Sequence, residues 1–386
     1  MYGSIIGDMI GSPYEFVGIK TTDFEFKLSC FTDDSVMTVA VAQALMNCGT
    51  DYNPMVIKER IIQSMQYFGK KFDHAGYGST FYSWLFKRNP EPYNSYANGS
   101  AMRCGSIAYF YPDDLERALE VAKLSAEVSH NHPEGIKGAV SVTEIIWRAN
   151  ARKDKEELRE AASKYYELRK TCDVIRVEHK FDVSCQGTVP VAIQCFLEGN
   201  NYEEVVRLAI SMGGDSDTLA CIAGSMAEAF YGVPEYLKKK CRESLIEQGG
   251  EELLEVMDSW EQYLRELERG SVKKTDSFKE NIRRKAHTME IRSLKDFMEL
   301  ESETESYHIR LWDEKRQRIY PKDFITFCLA DTEKQCIKKV KTITVLDFNE
   351  LLEGTMVFDL KKSLKQINNY TLDELNNNPV VIISFY

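Results

Sequence analysis

Two short stretches concentrate the carboxylates that could do chemistry: Phe31-Thr32-Asp33-Asp34-Ser35 and Gly213-Gly214-Asp215-Ser216-Asp217-Thr218. Each places a threonine hydroxyl and two carboxylates at the start of an apolar run. Helix capping accounts for part of this pattern, because Thr, Ser and Asp are favoured N-caps and negative charge suits the positive end of the helix dipole. A cap needs only one acidic group, and two held close together repel. A hard divalent cation removes that conflict by taking carboxylate and hydroxyl oxygens as ligands. If the two helix starts converge, their four carboxylates and two threonine hydroxyls would surround a pair of Mg²⁺ (or Mn²⁺) ions, as in a two-metal hydrolytic site. Thr32, Asp33, Asp34, Asp215, Asp217 and Thr218 are therefore the expected metal ligands.

The elements that must position these groups read as helices. Residues 35–46, 135–149, 155–169, 189–198, 202–211 and 217–230 are Ala-rich or amphipathic with few breakers, and a charged helical run covers 251–269. Glycine and proline gather between them, at Gly76-Tyr77-Gly78, Asn89-Pro90-Glu91-Pro92 and Gly213-Gly214. No strand-like alternation recurs in this region, so an all-α domain with functional loops at helix ends is expected. Between these helices, Asn98-Gly99-Ser100 suits a diphosphate, since glycine admits close backbone approach and free N–H groups near a helix start attract anions. Arg103 is either a phosphate clamp or a partner for a scaffold carboxylate. His130 and His132 precede a helix that Pro133 could open. Asp73-His74 and Glu178-His179 lack a nucleophile in a recognisable elbow and read as structural or surface pairs.

The chain has 386 residues, enough for a large domain and a smaller one, with 43% hydrophobic and 28% charged residues. Its net charge of −11 argues against a nucleic-acid coat or a polybasic membrane contact, although a bound cation would still admit a nucleotide ligand. The ten cysteines form no CxxC pair or zinc spacing, and Cys195 and Cys221 lie in apolar helical stretches as expected buried thiols. With no basic leader and no membrane-length apolar run, a cytoplasmic location is the expectation. Glycine marks a boundary: 21 of the 22 fall within 1–270. Charge shifts there too, from 29 Lys+Arg against 41 Asp+Glu before residue 271 to 20 against 19 after it. The expected division is a helical domain over 1–270, a linker over 271–280 and a small α+β domain over 281–386. Strands in the last are expected at 307–312, 324–327, 340–346 and 380–386.

Taken in order along residues 3 to about 234, these motifs resemble the ADP-ribosylglycohydrolase family, which includes the enzyme that reactivates dinitrogenase reductase. Gly7-Asp8-Met9-Ile10-Gly11-Ser12-Pro13-Tyr14-Glu15 looks like the family's opening helix and acidic loop. Thr32-Asp33-Asp34 and Asp215-Asp217-Thr218 resemble its two metal-binding clusters. The stretch from Asn98 to Arg103 resembles the loop against the ADP-ribose phosphates, and Ser129 to Gly135 its histidine motif near the distal ribose. Ser184-Cys185-Gln186-Gly187-Thr188-Val189-Pro190 is similar to the lead-in to a family core helix. The resemblance implies an all-α fold around a dinuclear site, and substrate contacts from Asn98, Gly99, Ser100, Met102 and His130. His132 stays unassigned. By the same resemblance, Glu15 reaches a metal or serves as base for the attacking water, with Asp33 and Asp34 beside it as catalytic carboxylates.

The implied activity is metal-dependent removal of ADP-ribose from a modified acceptor, by cleavage of the glycosidic bond at the distal ribose. Such cleavage builds positive charge on the sugar, which nearby carboxylates stabilise. An ADP-ribosylated protein is the expected partner, arginine-linked as a first choice, with a modified base open as another acceptor. A non-catalytic ADP-ribose- or nucleotide-binding module with the same metal pocket is the competing expectation. Residues 281–386, beyond the resemblance, are a candidate for partner binding.

Overall fold

In a computed structural model, the described residues are 1–48, 53–151, 153–268, 287–291, 306–311, 324–329, 335–346 and 380–385. The chain divides into two compact units, Met1–Lys279 and Glu280–Tyr386. In the first unit the elements run α1 (Tyr2–Gly11), a 3₁₀ turn (Ser12–Tyr14), α2 (Asp33–Cys48), α3 (Pro54–Lys71), α4 (Ser79–Phe86), α5 (Gly99–Met102), α6 (Ile107–Phe110) and α7 (Leu115–Glu127). They continue through α8 (Pro133–Asn150), α9 (Lys155–Ser163), α10 (Cys172–Glu178), α11 (Cys185–Glu198), α12 (Tyr202–Ser211), α13 (Ser216–Tyr231), α14 (Glu235–Glu247) and α15 (Glu251–Glu268). Among its described residues the unit is helical and free of strands, apart from one isolated bridge between Ala97 and Ser184.

The centre of this unit is a pair of helices buried on all sides. Every residue of α1 is buried, and so is every residue of α13 from Ser216 to Ala227. A helix apolar all round belongs in a core. The two pack through small residues: an added Cβ would come within 2.3 Å of the Gly224 carbonyl at Gly3, 2.2 Å of the Ala220 carbonyl at Gly7, and 2.6 Å of the Asp217 Cα at Gly11. Only glycine permits backbones this close. Helices α8, α11 and α12 pack against α13, while α2 rests on α3 and α15.

The outer helices carry their own start signals. Asp114 caps α7 by accepting from the Arg117 N–H, and Asp154 and Glu157 form a reciprocal capping box on α9. Helix α9 ends at Ser163, six residues short of the sequence expectation. Tertiary contacts stop it: the Tyr165 hydroxyl donates to Glu144 of α8, and Lys137 lies 4.8 Å from the centre of the Tyr166 ring.

In the second unit five strands are described: β1 (His287–Ile291), β2 (Ser306–Leu311), β3 (Phe324–Leu329), β4 (Gln335–Leu346) and β5 (Val380–Phe385). They form one sheet in the order β1-β3-β4-β5-β2, with β1 parallel to β3 and the remaining pairs antiparallel. Four strands fall on or beside the expected segments, and β1 was not anticipated. The helical part of the α+β expectation and the linker at 271–280 lie outside the described residues.

Candidate metal and substrate site

Three helices bring their carboxylates to one place. Asp8 on α1, Asp34 at the start of α2 and Asp217 at the start of α13 are all buried, and one carboxylate oxygen from each lies within 4.8 Å of the other two. A second group joins it through Asp217, where oxygens of Glu15 and Asp215 converge to the same limit. The two motifs read from the sequence therefore meet, across a primary separation of more than 180 residues.

Asp8 organises the entry to α2. Its Oδ1 accepts from the Thr32 hydroxyl at 2.7 Å. Its Oδ2 accepts from the Thr32 N–H at 2.9 Å, the Ser35 N–H at 3.1 Å and the Ser35 hydroxyl. The free N–H groups of α2 are thus served by a carboxylate from another helix, and by the Thr32 hydroxyl, which accepts from the Asp34 N–H at 3.3 Å. That leaves the Asp34 carboxylate free of capping duty on α2, whereas Asp217 Oδ1 accepts from the Thr218 N–H in the first turn of α13 at 2.9 Å. The Asp215 side chain makes no capping bond to α13, and Asp34 takes the Thr218 hydroxyl on Oδ2 at 3.0 Å. Its other oxygen, Oδ1, is buried without a hydrogen-bond partner among the described residues, on a side chain only 1% exposed.

The electrostatics follow from crowding like charges out of water. Burial, then the neighbouring carboxylates Asp8 and Asp215, push the half-buried Asp33 up to about 8. Burial pushes Asp8 up to about 6, and burial with Asp215 and Asp8 pushes Glu15 up to about 7. Asp34 and Asp217 move well above the ordinary carboxylate range, mainly through burial and then through their neighbours Asp8 and Asp34 respectively. Uncompensated, such an arrangement is costly. Oxygen-rich, acidic and carrying an orphaned buried lone pair, it suits a hard divalent cation. The residues present fit such an ion.

The turn that delivers Asp215 and Asp217 depends on two glycines. Gly213 and Gly214 have φ of +68° and +79°, the left-handed region that side chains other than glycine rarely adopt. Asn98 closes the far side, donating from Nδ2 to Asp215 Oδ2 at 2.7 Å and to the Thr188 hydroxyl at 3.0 Å. Next to it, an added Cβ on Gly99 would sit 3.1 Å from His130 Nε2 and 4.0 Å from Met102 Cε, so the Asn98 loop and the histidine motif are in contact. His130 is buried, its Nδ1 is 2.8 Å from the Ser129 hydroxyl, and burial drives its pKa well below the ordinary histidine range. Burial thus disfavours its charged form.

Other sequence candidates have structural employment. The Ser100 hydroxyl donates to the Gly135 carbonyl at 2.7 Å. Arg103 is fully buried and donates to the carbonyls of Gly99 at 3.0 Å and Ser125 at 2.6 Å, and to the Ser129 hydroxyl at 3.0 Å. It braces the loop from behind, and among the described residues its bonds go to carbonyls and a hydroxyl and not to a carboxylate. His132 caps α8, its Nδ1 accepting from the Glu134 N–H. Asp73 and His74 form a 3.4 Å pair with the histidine exposed, and Glu178 pairs with Lys170. Cys195 and Cys221 are buried free thiols.

Asp8 is the residue that sequence reasoning passed over as a site group. Its signal was available: one carboxylate in an otherwise apolar, glycine-spaced helix.

An all-helical domain draws carboxylates from three helices into one buried cluster that could hold a cation. Residues 1–270 match the sequence profile of the ADP-ribosylglycohydrolase family. Similar proteins include ADP-ribosylhydrolase ARH3 of Bos taurus, 25% identical over 62% of this chain and 86% of its own length. ARH3 of Mus musculus is 28% identical over 62% of this chain and 85% of its length. ADP-ribosylarginine hydrolase Tri1 of Pseudomonas putida (strain GB-1) is 24% identical over 66% and 76%. The chain belongs to the ADP-ribosylglycohydrolase family and is a hydrolase of that family.

Proposed function

We propose that residues 1–270 form a catalytic domain that removes ADP-ribose from an ADP-ribosylated acceptor, by hydrolysing the glycosidic bond at the distal ribose with two Mg²⁺ (or Mn²⁺) ions. The observation that carries the cation requirement is the buried cluster of Asp8, Asp34 and Asp217 with the unpartnered Asp34 Oδ1. Thr32, Asp33, Asp34, Asp215, Asp217 and Thr218 would hold the ions, joined by Asp8 and Glu15. Bound cations supply charge that orients ribose hydroxyls and offsets the carboxylates.

The chain's own groups supply the rest. Asn98 fixes Asp215, and the loop of Gly99, Ser100 and Met102, with Gly99 against His130, would contact the ribose and diphosphate. In its neutral form His130 can accept or donate a hydrogen bond to a ribose hydroxyl without adding charge. As the glycosidic bond breaks, positive charge grows on the ribose and Asp33 and Asp34 stabilise it. Glu15 takes one proton from the attacking water, the oxygen bonds to the anomeric carbon as the bond to the acceptor breaks, and Glu15 returns that proton to the released acceptor. Arginine-linked ADP-ribose is the acceptor class we favour, supported by the similarity to a protein named as an ADP-ribosylarginine hydrolase.

We place the domain boundary near 270, where the family match ends, and treat 281–386 as a separate small domain with a candidate role in partner binding. A cytoplasmic location accords with buried thiols such as Cys195 and Cys221. No helix among the described residues is long and apolar enough to cross a membrane.

The test is release of free ADP-ribose from arginine-, serine- and DNA-linked substrates, with Mg²⁺ and with EDTA. Release from one linkage that EDTA abolishes is the expected result. ADP-ribose binding with no release from any substrate would replace this proposal with a binding module.

A further inference from the structure

Two phenylalanine side chains stand where the metal-site loops meet. Phe16 follows Glu15 directly, and Phe181 lies on the segment between α10 and α11. They are 86% and 52% exposed, yet their rings face each other at 6.3 Å between centroids and 14° between planes. Large apolar side chains presented to solvent in this way, beside a site, point to a ligand contact.

The placement of the pair is held by the turn that carries Asp215. An added Cβ on Gly213 would come within 3.2 Å of Gly18, Ile19 and Lys20, and on Gly214 within 3.0 Å of the Phe181 Cα. The loop after Glu15 and the loop before α11 therefore flank the same turn from two directions. Lys20 ties them together, its ammonium donating to the His179 carbonyl at 2.7 Å and to the Met212 carbonyl. The backbone around Phe181 is held too, since the Val183 carbonyl accepts from the Asn98 N–H and the Asp182 carbonyl from the Thr188 hydroxyl.

We infer that Phe16 and Phe181 form an aromatic clamp for the acceptor side of the scissile bond, and that it favours a planar cationic acceptor, the guanidinium of an ADP-ribosylated arginine. This rests on the function proposed above. Because Glu15 and Asp215 belong to the carboxylate cluster, a group held by the adjacent rings lies next to the bond being cut, not at the distant adenosine. The chemistry selects the occupant. Ring faces carry negative quadrupole charge and attract cations, guanidinium most often, and a flat group can lie against a ring face where a compact hydroxyl cannot. The rings act as specificity-determining contacts and take no part in proton transfer.

The test compares kcat/KM on arginine-linked and serine-linked ADP-ribosyl peptides for the full chain in Mg²⁺. The variants are Phe16→Ala, Phe181→Ala, Phe16→Leu and Phe16→Tyr. Each alanine variant is expected to lower kcat/KM about tenfold on the arginine-linked peptide, in line with a partly desolvated cation–π contact. The serine-linked rate and the affinity for free ADP-ribose should stay within about twofold of wild type, a margin well below one tenfold step in affinity. Tyrosine should preserve the arginine preference and leucine should not, because leucine keeps apolar area but loses the ring. Wild-type rates with Phe16→Leu, an equal loss on both peptides, or a wild-type enzyme that cleaves only the serine linkage would each overturn the clamp while leaving the hydrolase proposal standing. Failure of the wild-type chain to release ADP-ribose from any substrate, despite binding it, would instead overturn the hydrolase proposal, and the clamp with it.

Discussion

Replacing Gly7 with alanine tests whether the close approach of α1 and α13 builds the site. The added methyl carbon would lie 2.2 Å from the Ala220 carbonyl oxygen and 2.6 Å from its carbon, against 3.4 Å or more for ordinary contact. Both obstacles are backbone, so no side-chain rotation relieves them, and the helices must separate by about 1.2 Å, the difference between 3.4 and 2.2 Å. Overpacking of a tight core costs about 1–3 kcal/mol, and a backbone clash belongs at the upper end. For a domain of this size that corresponds to a melting temperature lower by about 5–10 °C. Asp8 follows Gly7 directly and Asp217 stands three residues before Ala220, so the same displacement pulls the two carboxylates apart. Misplacement of about 1 Å in a reacting constellation costs about 10²-fold in rate. Calorimetry, Mg²⁺ titration followed by melting temperature, and ADP-ribose release should all register the change. Gly78→Ala is the control, because nothing lies within 4 Å of its added Cβ and its φ of −57° suits alanine. A Gly7→Ala protein with native melting temperature, Mg²⁺ response and turnover would refute the argument that this packing sets the carboxylate geometry.

Asp33→Ala and Asp217→Ala should each abolish turnover while circular dichroism reports an intact helical fold; near-native rates in either would remove the two-metal proposal. The pH dependence of stability has a definite sign. Burial raises Asp8 to about 6, and burial with repulsion from neighbouring carboxylates raises Glu15 and Asp33 to about 7 and 8 in the folded chain, above unfolded values near 4. Each therefore contributes stability that is complete below the unfolded pKa and lost as pH rises through the folded one. In EDTA this contribution should disappear between about pH 4 and pH 8, and the gain in melting temperature on adding Mg²⁺ should grow over the same range. A gain independent of pH would show that these carboxylates do not face the ion.

The linear chain carries much of this on local grounds. Two threonine-and-carboxylate clusters at helix starts are visible because their charge exceeds what a cap can use, and the Gly213-Gly214 pair announces a turn that only glycine makes without strain. Helix spans in the first unit are legible from periodicity at α2, α8, α11, α12, α13 and α15, while α3, α7 and α14 lie outside the expected spans, and α9 stops early where Glu144 and Lys137 of α8 capture Tyr165 and Tyr166. What a one-dimensional reading does not contain is distance between remote segments. Only the packing of α1 against α13 makes Asp8 a neighbour of Asp34 and Asp217, and only the meeting of two loops over one turn brings Phe16 to Phe181. Arg103 and Ser100 show the converse: residue types suited to phosphate are turned into the scaffold, because a buried polar group must first satisfy the carbonyls and hydroxyls around it. Residue type determines which chemistry is available, while convergence and burial in the tertiary structure decide which side chains are left free to perform it.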